Sequence, residues 1–521
     1  MRLSTPRTWA RVAAVFVGTA LSSSILQGFP TVEPILVDRR PGHGAGLFSE
    51  LCDDNETAIA GFSNSSIDAC AAQLDAAATL YSFAMATSII TTLPQGLLFD
   101  ALGPRCSASG AALATASSLG MLFVALRVRA LSWLAWIAVP LADCAGQLTS
   151  MAMLGFVWHL PDHQGLLSSL AIASASLSAF IVVLAVWLVQ GPLHVDAAFV
   201  WVIFAALALL SAVMCAATAV GHKEYHEVAA LLTGQSAQPP TRSSVLEQSR
   251  SVIREFARRR REAILFASWT SMGITAMLVW AANFVQLVQA KLSPEEADSL
   301  ISLFAIFVAL LGAVVQPAIG KLLDAIGLRY YILLVNIALA IWFYLLSSSN
   351  FSVNVISLVI GTVAQSGFLT ITMKWAAATM PPDILGTAYG FLYGMAGVCS
   401  FSLQLVGPSL AVHLLNARTA WQTLCYPIWL YGALTLAFGV GLSVELRTCC
   451  RQRAPNHDAA EASRAVLPPD FVTSDDEATS LASVSLPPDF GYDETTDYER
   501  MHTPPADGTL PRPEPQIAAS K

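Results

Sequence analysis

Gly96-Leu97-Leu98-Phe99-Asp100-Ala101-Leu102-Gly103-Pro104-Arg105 decides the reading of this chain, because its spacing returns at Gly320-Lys321-Leu322-Leu323-Asp324-Ala325-Ile326-Gly327-Leu328-Arg329. Both stretches follow the pattern G-x3-D-x2-G-x-R, and all four fixed positions are displaced by 224 residues. A single match in an apolar chain reads as a plain turn with a solvated ion pair. Two matches at one displacement mark a duplicated unit. A second echo, Pro161-Asp162-His163-Gln164-Gly165 and Pro382-Asp383-Ile384-Leu385-Gly386, is displaced by 221 residues. The halves therefore read as parallel repeats, related by an axis along a membrane normal and enclosing a site near the midplane.

Composition places these repeats in a bilayer. The chain has 521 residues, 55% hydrophobic and 12% charged, whereas soluble domains carry about 25% charged residues. A spanning helix needs about 20 mostly apolar residues. Runs of that kind lie at 10–29, 74–97, 106–126, 132–158, 165–189 and 197–220, and again at 263–286, 300–319, 331–348, 352–376, 386–412 and 421–444. The expected fold is an all-α membrane protein with twelve transmembrane helices in two six-helix bundles, 1–220 and 263–446. A polar linker at 221–262, rich in arginine (Arg250, Arg254, Arg258, Arg259, Arg260, Arg261), joins them, and a disordered acidic tail occupies 447–521. The net charge of -8 belongs to that tail: from Asn456 onward 13 acidic residues face 4 basic ones. The membrane body is close to neutral, and nothing in it suits nucleic acid.

Basic residues set the orientation. With the N-terminus in the cytoplasm, 18 Lys and Arg of the body fall inside and 6 outside, which predicts that both termini are cytoplasmic. A cleaved signal peptide built on Arg2, Arg7 and Arg11 competes with this reading, but losing one helix inverts the asymmetry of the remaining loops. The longest outer loop, 30–73, holds the acceptor patterns Asn55-Glu56-Thr57 and Asn64-Ser65-Ser66 together with Cys52 and Cys70. These residues are either glycosylation sites and a disulfide or chance sequons and free thiols. Cys449 and Cys450, just after the last helix, are weak palmitoylation candidates.

The repeated pattern has a chemistry of its own. Gly96 and Gly103, like Gly320 and Gly327, allow close backbone approach and a tight turn. Asp100 can pair with Arg105 or lie at the N-terminus of a neighbouring helix, where the dipole favours negative charge; Asp324 and Arg329 have the same choice. A contact that exists in one arrangement of the bundles and breaks in another biases a two-state equilibrium, so these eight residues are gating candidates.

The paired pattern resembles the signature loop of the major facilitator superfamily, found between helices two and three and often repeated between eight and nine. The resemblance covers about 1–450. Gly28-Phe29-Pro30-Thr31-Val32-Glu33-Pro34-Ile35-Leu36, then Gly46-Leu47-Phe48-Ser49-Glu50-Leu51-Cys52, then Leu93-Pro94-Gln95-Gly96, resembles the solute carrier family 43 type, which includes L-type amino-acid transporters and is similar to apicomplexan amino-acid transporters. Phe29 stands where that family has Trp. The resemblance implies an integral plasma-membrane carrier of large neutral or cationic L-amino acids that works by alternating access.

Polar groups inside spans are the substrate candidates. Asp143 is the acidic residue well inside a helix, near the midplane, with Gln147 one turn on. Gln365 and Ser366 lie at comparable depth in the tenth run, Gln27 and Gly28 in the first, and Trp269 in the seventh. Asp143 can hold a substrate ammonium or guanidinium, carry a coupling proton, or accept hydrogen bonds from neighbouring helices. Lys374, near a helix end, is expected to snorkel to the interface. Facilitated diffusion is the simplest energetics, with proton coupling through Asp143 the alternative. An amino-acid sensor or scaffold with a carrier fold, or a carrier of another small organic solute, are the competing functions. No metal-spaced cluster, nucleophile elbow or phosphate loop is present in the sequence, so no enzyme activity, cofactor or metal is expected. The expected partners are a small-molecule substrate, the lipid bilayer, and trafficking or regulatory proteins of the tail, where Leu-Pro-Pro-Asp-Phe occurs at 467–471 and 486–490.

Overall fold

A computed structural model describes residues 6–22, 36–37, 46–52, 71–190, 197–233, 245–413 and 420–452, and among them there is helix and no strand. Residues Met1–Arg453 make one compact unit. The tail from 453 on, Gln27, Gly28, Asn55, Asn64 and Cys70 lie outside the described residues.

The first half contains α1 (Pro6–Ala20), α2 (Ala71–Ile90), α3 (Thr92–Arg127), α4 (Ala135–Ser150), α5 (Gln164–Gln190) and α6 (Ala197–Thr218). The linker forms α7 (His222–Thr233) and α8 (Val245–Arg258). The second half contains α9 (Arg260–Ala282), α10 (Pro294–Ile306), α11 (Gly312–Leu345), α12 (Phe351–Thr379), α13 (Leu385–His413) and α14 (Ala420–Gln452). Among the described residues nine stretches are long and apolar enough to cross a bilayer. One of them, Pro294–Leu345, runs for 52 residues and is divided by a kink at Gly327. Each of the twelve expected runs is helical over at least part of its length, but the first is described as helix only over Pro6–Ala20, so the described residues do not establish twelve spans. Large apolar side chains such as Val213, Val314 and Val444 are exposed along these helices. A bilayer is the solvent that suits such faces, and the chain is a multi-pass membrane protein.

The very short connection expected at each copy of the repeated pattern is a single non-helical residue, at which one helix ends and the next begins: Gly103 adopts φ 78°, ψ 166° within α3, and Gly327 adopts φ 79°, ψ 161° within α11. One residue in that region reverses the local course of the chain, and Pro104 then restarts the helix at a position where a missing N–H costs nothing. The second pattern arrives by way of a longer entry than expected, because Ser293 and Glu296 form a reciprocal capping box with Pro294 in the first turn, and the helical rod starts there.

The two halves meet reciprocally. α13 of the second half packs along α2 and α3 of the first, and α5 of the first packs along α11 and α12 of the second. Glycine permits both approaches. A Cβ on Gly96 would stand 2.0 Å from the Gly386 carbonyl oxygen, and one on Gly320 would stand 2.2 Å from Ser169 Oγ and 2.6 Å from the Gly165 carbonyl oxygen. Backbone therefore touches backbone where the halves cross, as small residues allow in membrane helix pairs.

Candidate functional site

A cavity of about 190 Å³ opens between the halves. α2 to α5 contribute Tyr81, Met85, Thr92, Gln95, Gln147 and Ser176 to its wall; α9, α12 and α13 contribute Met277, Trp280, Gln365, Ser366, Tyr389 and Tyr393. Among the described residues the lining carries no Asp, Glu, Lys, Arg or His. Its polar groups are amides, hydroxyls and an indole; its apolar ones include Leu278, Phe304 and Leu369. The substrate candidates Gln147, Gln365 and Ser366 are thus brought together, from opposite halves.

Two other candidates are placed elsewhere. Trp269 is fully buried, donates from Nε1 to Asn336 Oδ1 at 3.0 Å, and lies with its ring centroid 4.0 Å from that of Phe368. It is a packing residue of the second half, because the gap left by Gly273 draws Phe368 against it. Asp143 is buried within the first half and does not line the cavity. Gln147, one turn further along α4, does. Position along the sequence put the two residues one turn apart on α4 but carried no information about which way the helix is rotated.

Thr92, Gln95, Tyr389 and Tyr393 were not anticipated. Thr92 Oγ1 donates to the Gly390 carbonyl at 3.1 Å, and the Tyr389 and Tyr393 rings lie 4.5 Å apart. They form one end of the cavity, on the turns of α3 and α13 next to the repeated pattern. A polar Thr92 and Gln95 just before Gly96, and Tyr at i and i+4 just after Gly386, were the available signals.

Beyond that end the halves are locked together twice. Asp100 accepts from the Gly386 N–H at 2.8 Å, the Thr387 N–H at 2.7 Å and the Thr387 hydroxyl at 2.6 Å. Asp324 accepts from the Gly165 N–H at 2.8 Å and the Leu166 N–H at 3.0 Å, and pairs with Lys374 Nζ at 2.6 Å. Each carboxylate therefore caps the N-terminus of a helix in the opposite half, where two successive N–H groups and the helix dipole converge on it. The two sequence echoes, noted separately, are the two sides of one contact made twice.

Of the alternatives open for Asp100, the helix terminus is the one occupied; no Asp100–Arg105 pair forms. Arg105 Nε donates to the Ala219 carbonyl at 2.9 Å, and Arg329 Nε to the Ser443 carbonyl at 3.1 Å. These acceptors are themselves 224 residues apart, so the arginines tie each bend to the last helix of its own half. Lys374 does not snorkel to an interface: it is mostly buried and spent on Asp324.

Two further contacts lie beside the locks. Arg11 makes a two-pronged pair with Glu224 at 2.6 and 3.0 Å, and His159 Nε2 lies 3.2 Å from the same carboxylate. The hydrogen bond from Arg11 holds the Glu224 carboxyl down at about 2, while burial holds His159 below the usual imidazole range against the pull of Glu224. His226 Nδ1 lies 3.0 Å from Asp383 Oδ1, so α7 of the linker reaches the turn just ahead of α13 and Gly386. In the segment before α2, Cys52 is disulfide-bonded; its expected partner Cys70 is outside the described residues.

Comparison with solved structures shows the major facilitator fold. The human organic anion transporter MFSD10 superposes with a TM-score of 0.53 at 15% identity, over 84% of this chain and all 100% of that one. The proton:xylose symporter XylE matches with a TM-score of 0.53 at 13% identity, covering 83% of this chain and 94% of that one. The E. coli fucose:proton symporter FucP matches with a TM-score of 0.53 at 12% identity, covering 83% and 97%. In sequence, the protein FMP42 of Saccharomyces cerevisiae is 22% identical over 462 residues, 76% of this chain and 88% of that protein. No family model matches the chain.

Proposed function

We propose that the protein is a carrier that moves a neutral amphiphilic solute, with large neutral L-amino acids as the class, by alternating access between its two halves. The carrying observation is the cavity between the halves, lined by amides, hydroxyls and aromatic rings without a formal charge among the described residues. A zwitterion needs N–H donors for its carboxylate and oxygen acceptors for its ammonium. The amide side chains of Gln147 and Gln365 offer both, from opposite sides, and Leu278, Phe304 and Leu369 offer an apolar wall for the solute side chain. A cationic amino acid or an organic anion would lack a counter-charge there, and burying an unpaired ion is costly. The cationic half of the sequence-based expectation is therefore set aside, because Asp143 is not in the wall.

In this reading residues 1–220 and 263–446 act as the two moving bodies, with 221–262 joining them, and the Asp100 and Asp324 contacts hold the cytoplasmic side shut. Both termini inside is the orientation that the distribution of Lys and Arg supports, and the plasma membrane is the location that goes with the family resemblance.

The experiment is uptake of radiolabelled leucine into vesicles containing the full chain. Saturable uptake competed by phenylalanine and methionine, but not by lysine or glutamate, is expected; Gln147→Ala with Gln365→Ala should abolish it at unchanged protein level. Saturable uptake of another solute, with none of any amino acid, would overturn the substrate class.

A further inference from the structure

Beside the Asp100 contact, at the end of the cavity that Thr92 and Gln95 help to form, the hydrogen bonds of one helical stripe leave an amide oxygen without a partner. Thr91 and Gln95 stand one turn apart where α2 passes into α3, and the Gln95 N–H donates to the Thr91 carbonyl at 3.0 Å, so their side chains share a face. The Thr91 hydroxyl donates back to the Thr87 carbonyl at 2.8 Å, with the Ser88 carbonyl at 3.0 Å. Its one proton is thereby spent, and it has only lone pairs to offer other groups. Gln95 Nε2 donates to Thr91 Oγ1 at 3.1 Å, and the Cys144 thiol of α4 meets the same oxygen at 3.1 Å. The Gln95 amide is therefore fixed with its nitrogen toward Thr91: turned over, its oxygen would face an oxygen that has no proton to give. Gln95 Oε1 is left buried, with no hydrogen-bond partner among the described residues.

Gln95 is 6% exposed and lines the cavity. Hydroxyls in the same wall are spent as the Thr91 hydroxyl is. Thr92 Oγ1 shares its proton between the Ile89 carbonyl at 2.7 Å and the Gly390 carbonyl at 3.1 Å; Ser150 Oγ donates to the Gln147 carbonyl at 2.7 Å, and Thr362 Oγ1 to the Leu358 carbonyl at 2.9 Å. Such bonds satisfy each proton on backbone and leave the oxygen able to accept. No basic side chain stands in the wall among the described residues. The first-half side of this end, built by Thr92 and Gln95, thus offers acceptors, which hold N–H groups and repel a carboxylate.

An acceptor buried in an apolar setting carries a desolvation cost until a donor reaches it. We propose that Gln95 Oε1, aimed by Thr91, accepts a hydrogen bond from the ammonium of the solute, and that the carrier therefore requires an N–H at that point. This rests on the amino-acid reading above and adds the solute's orientation: ammonium toward Gln95 and the Asp100 contact, carboxylate away from them. Gln95 touches the solute, whereas Thr91 is a positioning residue that acts through the amide it holds. A quaternary ammonium carries the same charge as an ammonium but presents methyl groups, so a solute bearing one leaves Oε1 unpaired. The requirement is for the N–H and not for the charge alone.

The test is uptake of radiolabelled leucine by the full chain in liposomes, with unlabelled leucine and N,N,N-trimethyl-leucine as competitors. For the unsubstituted chain, leucine is expected to compete about tenfold or more better than the trimethyl compound, the factor that a lost hydrogen bond to a charged group carries. Gln95→Met keeps the length of the side chain and removes its oxygen; it should raise KM for leucine and shrink that preference by about the same factor. Thr91→Val keeps the shape at 91 and every cavity residue, but frees the amide to turn its nitrogen toward the solute, so it should lower the preference as well. Should Gln95→Met lose uptake altogether, Thr91→Val decides. Equal competition by the two compounds in the unsubstituted chain, or a preference that both variants leave intact, overturns the role of Gln95 while the amino-acid reading stands. Leucine uptake absent from the unsubstituted chain overturns that reading, and the ammonium contact with it.

Discussion

Gly103 and Gly327 are equivalent by sequence and nearly identical in backbone conformation, yet their surroundings differ. A Cβ on Gly103 would lie 2.6 Å from His222 Cβ, while one on Gly327 meets nothing within 4 Å. Backbone with positive φ and ψ near 165°, a region left almost entirely to glycine, by itself costs another residue about 1–3 kcal/mol. Gly327→Ala should therefore lower stability by about that amount, and Gly103→Ala by clearly more, as read by thermal unfolding in detergent. At Glu224 the pKa is depressed, so the pair with Arg11 stabilises the fold fully above the ordinary glutamate pKa of 4.5 and loses that contribution as pH falls toward about 2. Solvent screening of a pair this exposed limits its worth to about 1 kcal/mol or less. Glu224→Gln should accordingly lower stability at pH 7, and by progressively less as pH falls from 4.5 toward about 2.

At the scale of elements, the crossing of α3 with α13, and of α11 with α5, depends on glycine at the contact. Gly386→Leu would place a branched side chain where the Gly96 carbonyl and Asp100 Oδ1 already lie 2.7 and 2.8 Å from the Cβ position. It should hold the halves apart and leave that end of the cavity accessible to thiol reagents at single cysteines placed along α3. The two locks are not chemically equal. Asp324 has a lysine; Asp100 has a threonine hydroxyl in the corresponding place. Removing Lys374 leaves a buried carboxylate short of its counter-charge, which typically costs about 3–5 kcal/mol, whereas Thr387→Val removes one hydrogen bond to a charged group, worth about 1.5–3 kcal/mol. Lys374→Met is thus expected to destabilise the closed arrangement more than Thr387→Val, as measured by the same labelling.

Across the whole molecule, both locks close one end of the same cavity and are made between the same two halves. Asp100→Asn and Asp324→Asn should each increase accessibility of that end. If the halves move as bodies, the double substitution should depart from additivity, because the residues act on one equilibrium. Additive effects would indicate two independent local openings.

What the sequence determined alone is what depends on local composition and on self-similarity. Apolar runs dictate helices in a bilayer because the backbone has no other way to satisfy its polar groups there. The repeated G-x3-D-x2-G-x-R marked a duplicated body, and its second glycine marked a sharp bend. Gln147, Gln365 and Ser366, polar residues inside apolar runs, line one cavity. The tertiary structure decided partner and facing. Asp100 could meet Arg105 five residues away or a helix end from the other half, and only packing settles a competition between contacts 5 and 286 residues apart. Likewise α4 turns Gln147 toward the cavity and Asp143 away from it. That rotation is set by which neighbours bury which face, and where a helix is apolar nearly all round, its own sequence carries little trace of it.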